Sequence, residues 1–196
     1  VECTAEYLLQ FAFMGSFYAK KLMGCEAPRV GLLNVGTEDT KGGELQHQAF
    51  ALLKKAGEEG RINFIGNVEG TDVFAGKAEV VVTDGFTGNV LLKTTEGVIK
   101  FMMGALKGVF YKNTVNKLAA AVLKSDLKEM KKSMDVNEVG GTALIGISKP
   151  VIKAHGSSNA ASLFAAVRQA VAFVDSGLIG DINDNIEYMK IKGEQA

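Results

Sequence analysis

Tryptophan is absent from this chain, and cysteine and histidine occur only twice each, as Cys3, Cys25, His47 and His155. The cysteines lack CxxC spacing and neighbouring ligands, so neither zinc nor another metal is expected, and no cofactor is implied. Isolated cysteines fit a reduced, cytoplasmic compartment, and they also leave a disulfide open. Net charge is missing too: lysine plus arginine equals aspartate plus glutamate at 22 each, so no global field points to nucleic acid. No apolar run approaches the roughly 18 residues of a spanning helix, and no signal peptide opens the chain. Repeats, low-complexity tracts and linkers are lacking as well. What remains is an ordinary globular composition, 47% hydrophobic over 196 residues, which can bury a sizeable core as a single domain. The chain starts at Val1 rather than Met, inside an apparent helical pattern, and so reads as a fragment.

Strand and helix patterns alternate along it. Residues 4–22 read as a helix rich in aromatics, and 29–35 (RVGLLNV) as a buried strand followed by a loop and a helix over 44–55. A second strand is expected at 61–65, leading through GNVEG to a short turn at 72–74. The third, at 79–83, holds three consecutive valines, and a long helix follows from about Asn89. PVIKA (150–154) reads as another strand, with a helix after it running to about Asp175. The βαβα order predicts an α/β fold with a mostly parallel sheet covered by helices on both faces.

Three strand-to-helix junctions share one chemistry. NVGTEDTKGGE (34–44), DGFTGN (84–89) and KAHGSSN (153–159) each set glycines beside hydrogen-bonding or cationic side chains. Glycine lets backbone approach a ligand closely, and helix N-termini offer free N–H groups to anions. In a parallel sheet all three junctions leave one edge, where open α/β sheets bind ligands. Asn34, Gly36, Gly85, Thr87, Gly88, Asn89, Gly156, Ser157 and Asn159 are therefore the candidate binding groups. Lys41 or Lys153 can neutralise an oxyanion. Taken singly, Lys41 reads as well as a solvated loop lysine, and His155 as a structural histidine; their joint placement carries the functional reading.

The ordered run GNVEGTDVFAGKAEVVVTDGFTGNVLLKTTEG, with NVGTED upstream and PVIKAHGSSNA downstream, resembles the PlsX family of phosphate acyltransferases, the fatty acid/phospholipid synthesis proteins. The resemblance covers nearly the whole chain. It implies a three-layer α/β/α sandwich like that of isocitrate dehydrogenase and phosphotransacetylase, usually paired as a homodimer. It also implies synthesis of acyl phosphate from acyl-acyl carrier protein and inorganic phosphate in bacterial phospholipid synthesis. Members of that family open with a strand and a DAMGGD-type glycine loop. Neither is present here, so the chain resembles the larger C-terminal part of such an enzyme. Gly43 is a smaller departure, since relatives often carry Asn there.

The implied chemistry suits the residues. Phosphate is already a competent nucleophile toward a thioester, so the protein has only to hold two anionic reactants and stabilise developing charge. Lys153 or Lys41 can offset phosphate charge, and His155 can donate to the oxyanion or the leaving sulfur. Asp84 suits the task of orienting a lysine or its own loop. Two other classes stay open: a phosphotransacetylase-like enzyme acting on acyl-CoA, and a non-catalytic scaffold binding carrier protein or membrane.

Residues 108–135 read as a protruding helical arm. Val115, Leu118 and Val122 follow helical spacing, continued by Leu123, Leu127, Met130 and Met134, and six lysines lie between Lys112 and Lys132. Such an amphipathic basic element suits packing on a second subunit, or contact with an anionic membrane on the inner face. Lys93, Lys100 and Lys107, seven apart, suit either a stripe for an acidic carrier protein or a solvated helix face.

Overall fold

The computed structural model describes residues 2–133, 141–154, 156 and 158–190. The chain is α/β. Among these residues it forms α1 (Ala5–Leu22), β1 (Arg29–Leu33), α2 (Glu44–Glu58), β2 (Asn63–Val68), α3 (Gly70–Phe74), β3 (Val80–Val82) and α4 (Gly85–Phe110). There follow α5 (Thr114–Val122), α6 (Lys124–Ser133), β4 (Gly141–Ala143), β5 (Ile152–Ala154), α7 (Ala160–Asp175) and α8 (Leu178–Asp184). They group into two compact units. The first holds the described residues of Val1–Gly88, Leu144–Val151 and Val171–Ala196, and the second those of Asn89–Ala143 and Ile152–Ala170.

The first unit is built on a three-stranded parallel sheet of order β2–β1–β3. Strand β1 is its centre, and Val30, Leu32 and Leu33 are buried. Helices α1 and α2 touch each other; α1 also packs on β3 and β1, and α2 on β2. From α1 the buried face is Leu8, Leu9, Ala12, Phe13 and Ala19, and from α2 it is Ala49, Phe50, Leu53 and Ala56. Both sets recur at three- and four-residue intervals, the spacing of one helix face. Each fully buried Leu or Phe contributes about 1.5–3 kcal/mol of transfer free energy. Helix α8 closes against α1, with Lys21 Nζ 2.9 Å from Asp181 and the Phe13 and Tyr188 rings edge to face at 5.7 Å. At the opposite end of β1, Arg29 Nε donates to both Glu79 carboxylate oxygens at 3.1 and 3.0 Å.

Several boundaries differ from expectation. Helix α1 starts at Ala5, and the extended Thr4 caps it, its hydroxyl accepting from Tyr7 N–H at 3.4 Å. Strand β2 runs on to Val68, through what reads as a loop at Gly66. The pairing with β1 slips there, because Val30 faces Phe64 whereas Leu32 faces Asn67. The extra residue makes a β-bulge, and Gly66 supplies the φ of +94° that takes it up. Helix α4 starts four residues early, at Gly85, so DGFTGN is a helix cap and first turn rather than a loop.

The second unit corrects the parallel arrangement expected for PVIKA. Strand β5 pairs antiparallel with β4, a strand the pattern does not predict, in a separate two-stranded sheet. Only residues 144–151 join the two strands, and a parallel connection needs a crossover of about a dozen residues or more. Gly141 makes the pairing possible, since a Cβ there would lie 2.6 Å from Ile152 Cγ2. The arm divides into two helices, α5 and α6, separated at Leu123.

Candidate functional site

Parallel pairing sends the ends of β1, β2 and β3 to one edge, so Asn34, Glu69 and Asp84 leave the sheet there. The ladder extends one step further, Asn34 N–H donating to Val68 O at 2.9 Å. The loop 34–43 is tied down along its length. Asn34 Oδ1 accepts from Val35 N–H at 2.8 Å, and Asn34 Nδ2 donates to Lys41 O at 2.8 Å. Lys41 N–H donates to Glu38 O at 3.1 Å, and the same carbonyl accepts from Asn67 Nδ2 at 2.8 Å. Thr40 O lies 3.0 Å from His47 Nε2. Gly36 is buried, and a Cβ on it would sit 2.7 Å from Glu38 Oε2 and 3.0 Å from Lys41 Cγ. Gly42 has a φ of +97°, and a Cβ there would meet Asn34 Oδ1 at 2.8 Å. The Lys41 side chain is exposed, its ammonium 3.9 Å from Glu38 Oε1. So long an exposed pair contributes at most about 1 kcal/mol, which leaves the charge available to an anion.

At the β3–α4 junction Asp84 acts on its own helix. Its Oδ1 accepts from Phe86 N–H and Thr87 N–H, each at 2.9 Å, and its Oδ2 accepts from Thr87 Oγ1 at 2.6 Å. Partial burial pushes this carboxyl up, but the Thr87 hydroxyl and the two N–H groups outweigh it and hold it below the usual aspartate range. Two N–H groups of the helix start thus already face a carboxylate. Of the two tasks expected of Asp84, these bonds serve its loop. Gly85, Thr87 and Asn89 are exposed around it; Gly88 is half-buried, and a Cβ there would lie 2.7 Å from Thr83 Cγ2.

The third junction belongs to the second unit. His155 and Ser157 lie outside the described residues. Lys153 is exposed on β5, opposite Thr142, and Gly156 is exposed after it. Asn159 repeats the logic of Asp84: its Oδ1 accepts from Ser162 N–H at 2.9 Å and Ser162 Oγ at 3.0 Å, capping α7. In both caps the residue three positions on offers a backbone N–H and a hydroxyl. On the arm of this unit Val115, Leu118, Val122 and Leu123 are 74%, 65%, 82% and 42% exposed. Lys93 on α4 pairs with Glu96 at 2.9 Å, and the Lys107 ammonium lies 5.9 Å from the Tyr111 ring centre.

Two participants escape a reading of the sequence, Glu38 and Asn67. Asn67 sits in a stretch whose glycines signal a turn, and asparagine is uncommon in strands, so nothing local marks it as a strand residue facing inward. The pair at α3 escapes too: Asp72 is buried, receives Lys77 Nζ at 2.6 Å, and accepts from Glu69 N–H at 3.0 Å. A cavity of about 370 Å³ lies among Met14, Ile147, Ile182 and Met189 in the first unit, and none of the residues singled out in the sequence lines it. Among the described residues, no three His, Cys, Asp or Glu side chains gather as metal ligands, and no single helix is long and apolar enough to cross a membrane.

Against known proteins, residues 1–180 match the family described as fatty acid synthesis protein. Curated relatives named phosphate acyltransferase are similar along the chain. One from Lysinibacillus sphaericus (strain C3-41) is 48% identical over 186 residues, covering 95% of this chain and 55% of the relative. One from Geobacillus sp. (strain WCH70) is 51% identical over 187 residues, covering 95% and 56%. One from Bacillus cereus (strain B4264) is 52% identical over 187 residues, again covering 95% and 56%. The chain thus spans little more than half the length of the curated relatives it matches. By the extent of these matches, the chain belongs to the fatty acid synthesis protein family.

Proposed function

We propose that this chain is the larger C-terminal part of an acyltransferase that makes acyl phosphate from acyl-acyl carrier protein and inorganic phosphate. The names of its relatives support the reaction. The observation that carries the reading within the chain is the loop 34–43: glycine-lined, braced through its backbone, and holding an exposed lysine at the C-terminal edge of a parallel sheet. Such a loop suits a small anion.

In the reaction a phosphate oxygen forms a bond to the thioester carbonyl carbon, and the carbonyl electron pair moves to oxygen. The tetrahedral oxyanion collapses, the C–S bond breaks, and the carrier thiolate leaves and takes up a proton. Lys41 or Lys153 offsets the charge on phosphate, Asn34 and the glycines of its loop let the backbone come close, and His155 donates to the oxyanion or the leaving sulfur. Asp84 and Asn159 hold the starts of α4 and α7 in shape, so their part is to fix the N–H groups rather than to meet phosphate directly. The complete fold of this reading is the three-layer α/β/α sandwich of isocitrate dehydrogenase and phosphotransacetylase.

The exposed apolar stripe of α5 supports a second element of the proposal: a homodimer whose arms are covered by the partner subunit, with the lysines toward an anionic membrane on the cytoplasmic side.

The test is direct. Full-length protein is incubated with inorganic phosphate and a chain-length series of acyl-carrier proteins and acyl-CoAs, and acyl phosphate is measured. Long-chain acyl-carrier protein should be the best donor, Lys153→Ala should lower turnover about tenfold or more, and Lys41→Ala should lower kcat/KM for phosphate by a similar factor. Preference for acetyl-CoA would favour a phosphotransacetylase-like enzyme. Inactivity with every donor would favour a scaffold.

A further inference from the structure

We propose that Asn67 is a positioning residue for anion binding, acting on Lys41 through the backbone of the loop 34–43. The inference rests on the reading of that loop as a phosphate site. Asn67 lies on β2 just past the bulge and is 6% exposed. Its Nδ2 reaches across to Glu38 O at 2.8 Å, the carbonyl that also receives Lys41 N–H at 3.1 Å. The carbonyl of Lys41 itself is held by Asn34 Nδ2 at 2.8 Å. Both sides of the lysine are therefore anchored to side chains at the sheet edge, one directly and one through Glu38. Among the described residues nothing comparable fixes its ammonium, which lies 3.9 Å from Glu38 Oε1. The site of the lysine is set by its backbone, and Asn67 holds the buried end of that arrangement.

The other half of the amide sharpens the point. Asn67 Oδ1 is buried and has no hydrogen-bond partner among the described residues. An orphaned buried acceptor is destabilising, whereas the single donated bond is modestly favourable. The amide as a whole thus adds little to stability, and its effect is concentrated in where Glu38 and Lys41 are placed. A purely structural role would show the reverse: a large loss of stability and an unchanged loop.

The experiment compares Asn67→Asp, which cannot donate to Glu38 O, and Asn67→Ala, which removes donor and orphan together, in the full-length enzyme. The readouts are KM for inorganic phosphate, kcat, thermal midpoint, and hydrogen exchange of amides 36–42. Both variants should raise the phosphate KM about tenfold with kcat within about twofold of wild type, as expected when ground-state and transition-state binding weaken together. Asn67→Ala should keep its midpoint near wild type while amides 36–42 exchange faster, which keeps the test alive should Asn67→Asp fold poorly. Lys41→Ala should raise KM as well, and Asn67→Ala combined with Lys41→Ala should be no worse than Lys41→Ala alone. Wild-type KM in both Asn67 variants beside a raised KM in Lys41→Ala overturns this inference alone, as do effects that multiply. A wild-type KM in Lys41→Ala overturns the phosphate reading of the loop, and this inference with it.

Discussion

At Asp84 one carboxylate accepts three hydrogen bonds from the first turn of α4, so its cap and its charge can be separated by substitution. Asp84→Asn keeps an oxygen for the two N–H groups, and unfolding free energy should stay close to wild type. Asp84→Ala removes the cap and should cost about 0.5–2 kcal/mol in a denaturant titration. Equal losses in both variants would mean that charge, not capping, is what the helix uses. Glu79 makes a pH prediction. Arg29 beside it, through its side chain and its backbone N–H, lowers the carboxyl from 4.5 to about 2. Its stabilisation is present above the ordinary value and is lost as pH falls from about 4.5 toward 2. Thermal midpoints measured across that window should fall in wild type and fall less in Glu79→Gln; parallel curves would remove Glu79 from acid unfolding. At this scale Asn34, Lys41 and Asp84 were legible, because glycine-flanked polar and cationic residues between strand and helix patterns are few. Their partners were not. Asn67 meets Glu38 across 29 positions of sequence, by a register no local pattern encodes.

Among the elements, α5 makes the sharpest prediction. Val115, Leu118 and Val122 lie on one helix stripe and are all at least 65% exposed, more apolar surface than a solvated helix of nine residues ordinarily shows. If a second subunit covers them, changing Leu118 and Val122 to Asp should give monomers in sedimentation. If a membrane covers them, the variant should stay dimeric yet lose binding to anionic vesicles, and salt should weaken wild-type binding through the lysines. A variant that keeps both properties would leave the stripe without either role. Most elements could be read in advance because periodicity is strong: α1, α2, β1, β3 and α7 stand close to where their patterns place them. The departures share a cause, which is long-range pairing. The bulge in β2 extends a strand through a glycine because β1 is there to pair with it. Strand β4 exists only as the partner of β5, and its three residues, GTA, carry no strand signal of their own. Gly85 joins α4 because Asp84 folds back on it, a capping bond invisible to hydrophobic spacing.

For the whole molecule, neither unit is one contiguous stretch. The chain leaves the first unit after Gly88, returns for Leu144–Val151, leaves again, and comes back at Val171. Residues 1–88 contain the parallel sheet with α1 and α2, yet the last return supplies what covers part of α1: Asp181 of α8 against Lys21, and Tyr188 beyond it against Phe13. A chain ended after Gly88 should therefore lose the cooperative urea transition of the first unit, giving a broad, shallow curve. A sharp transition at the wild-type midpoint would show the sheet and its two helices to be sufficient. The same ordering has a consequence during synthesis. At about 5–20 residues per second, the ribosome needs on the order of ten seconds to add the stretch between Gly88 and Val171. Through that interval the three strands are already synthesised but lack the segment that completes their unit, and the face of α1 around Phe13 still waits for Tyr188. Whatever shelters apolar surface on growing chains would find a target at that helix.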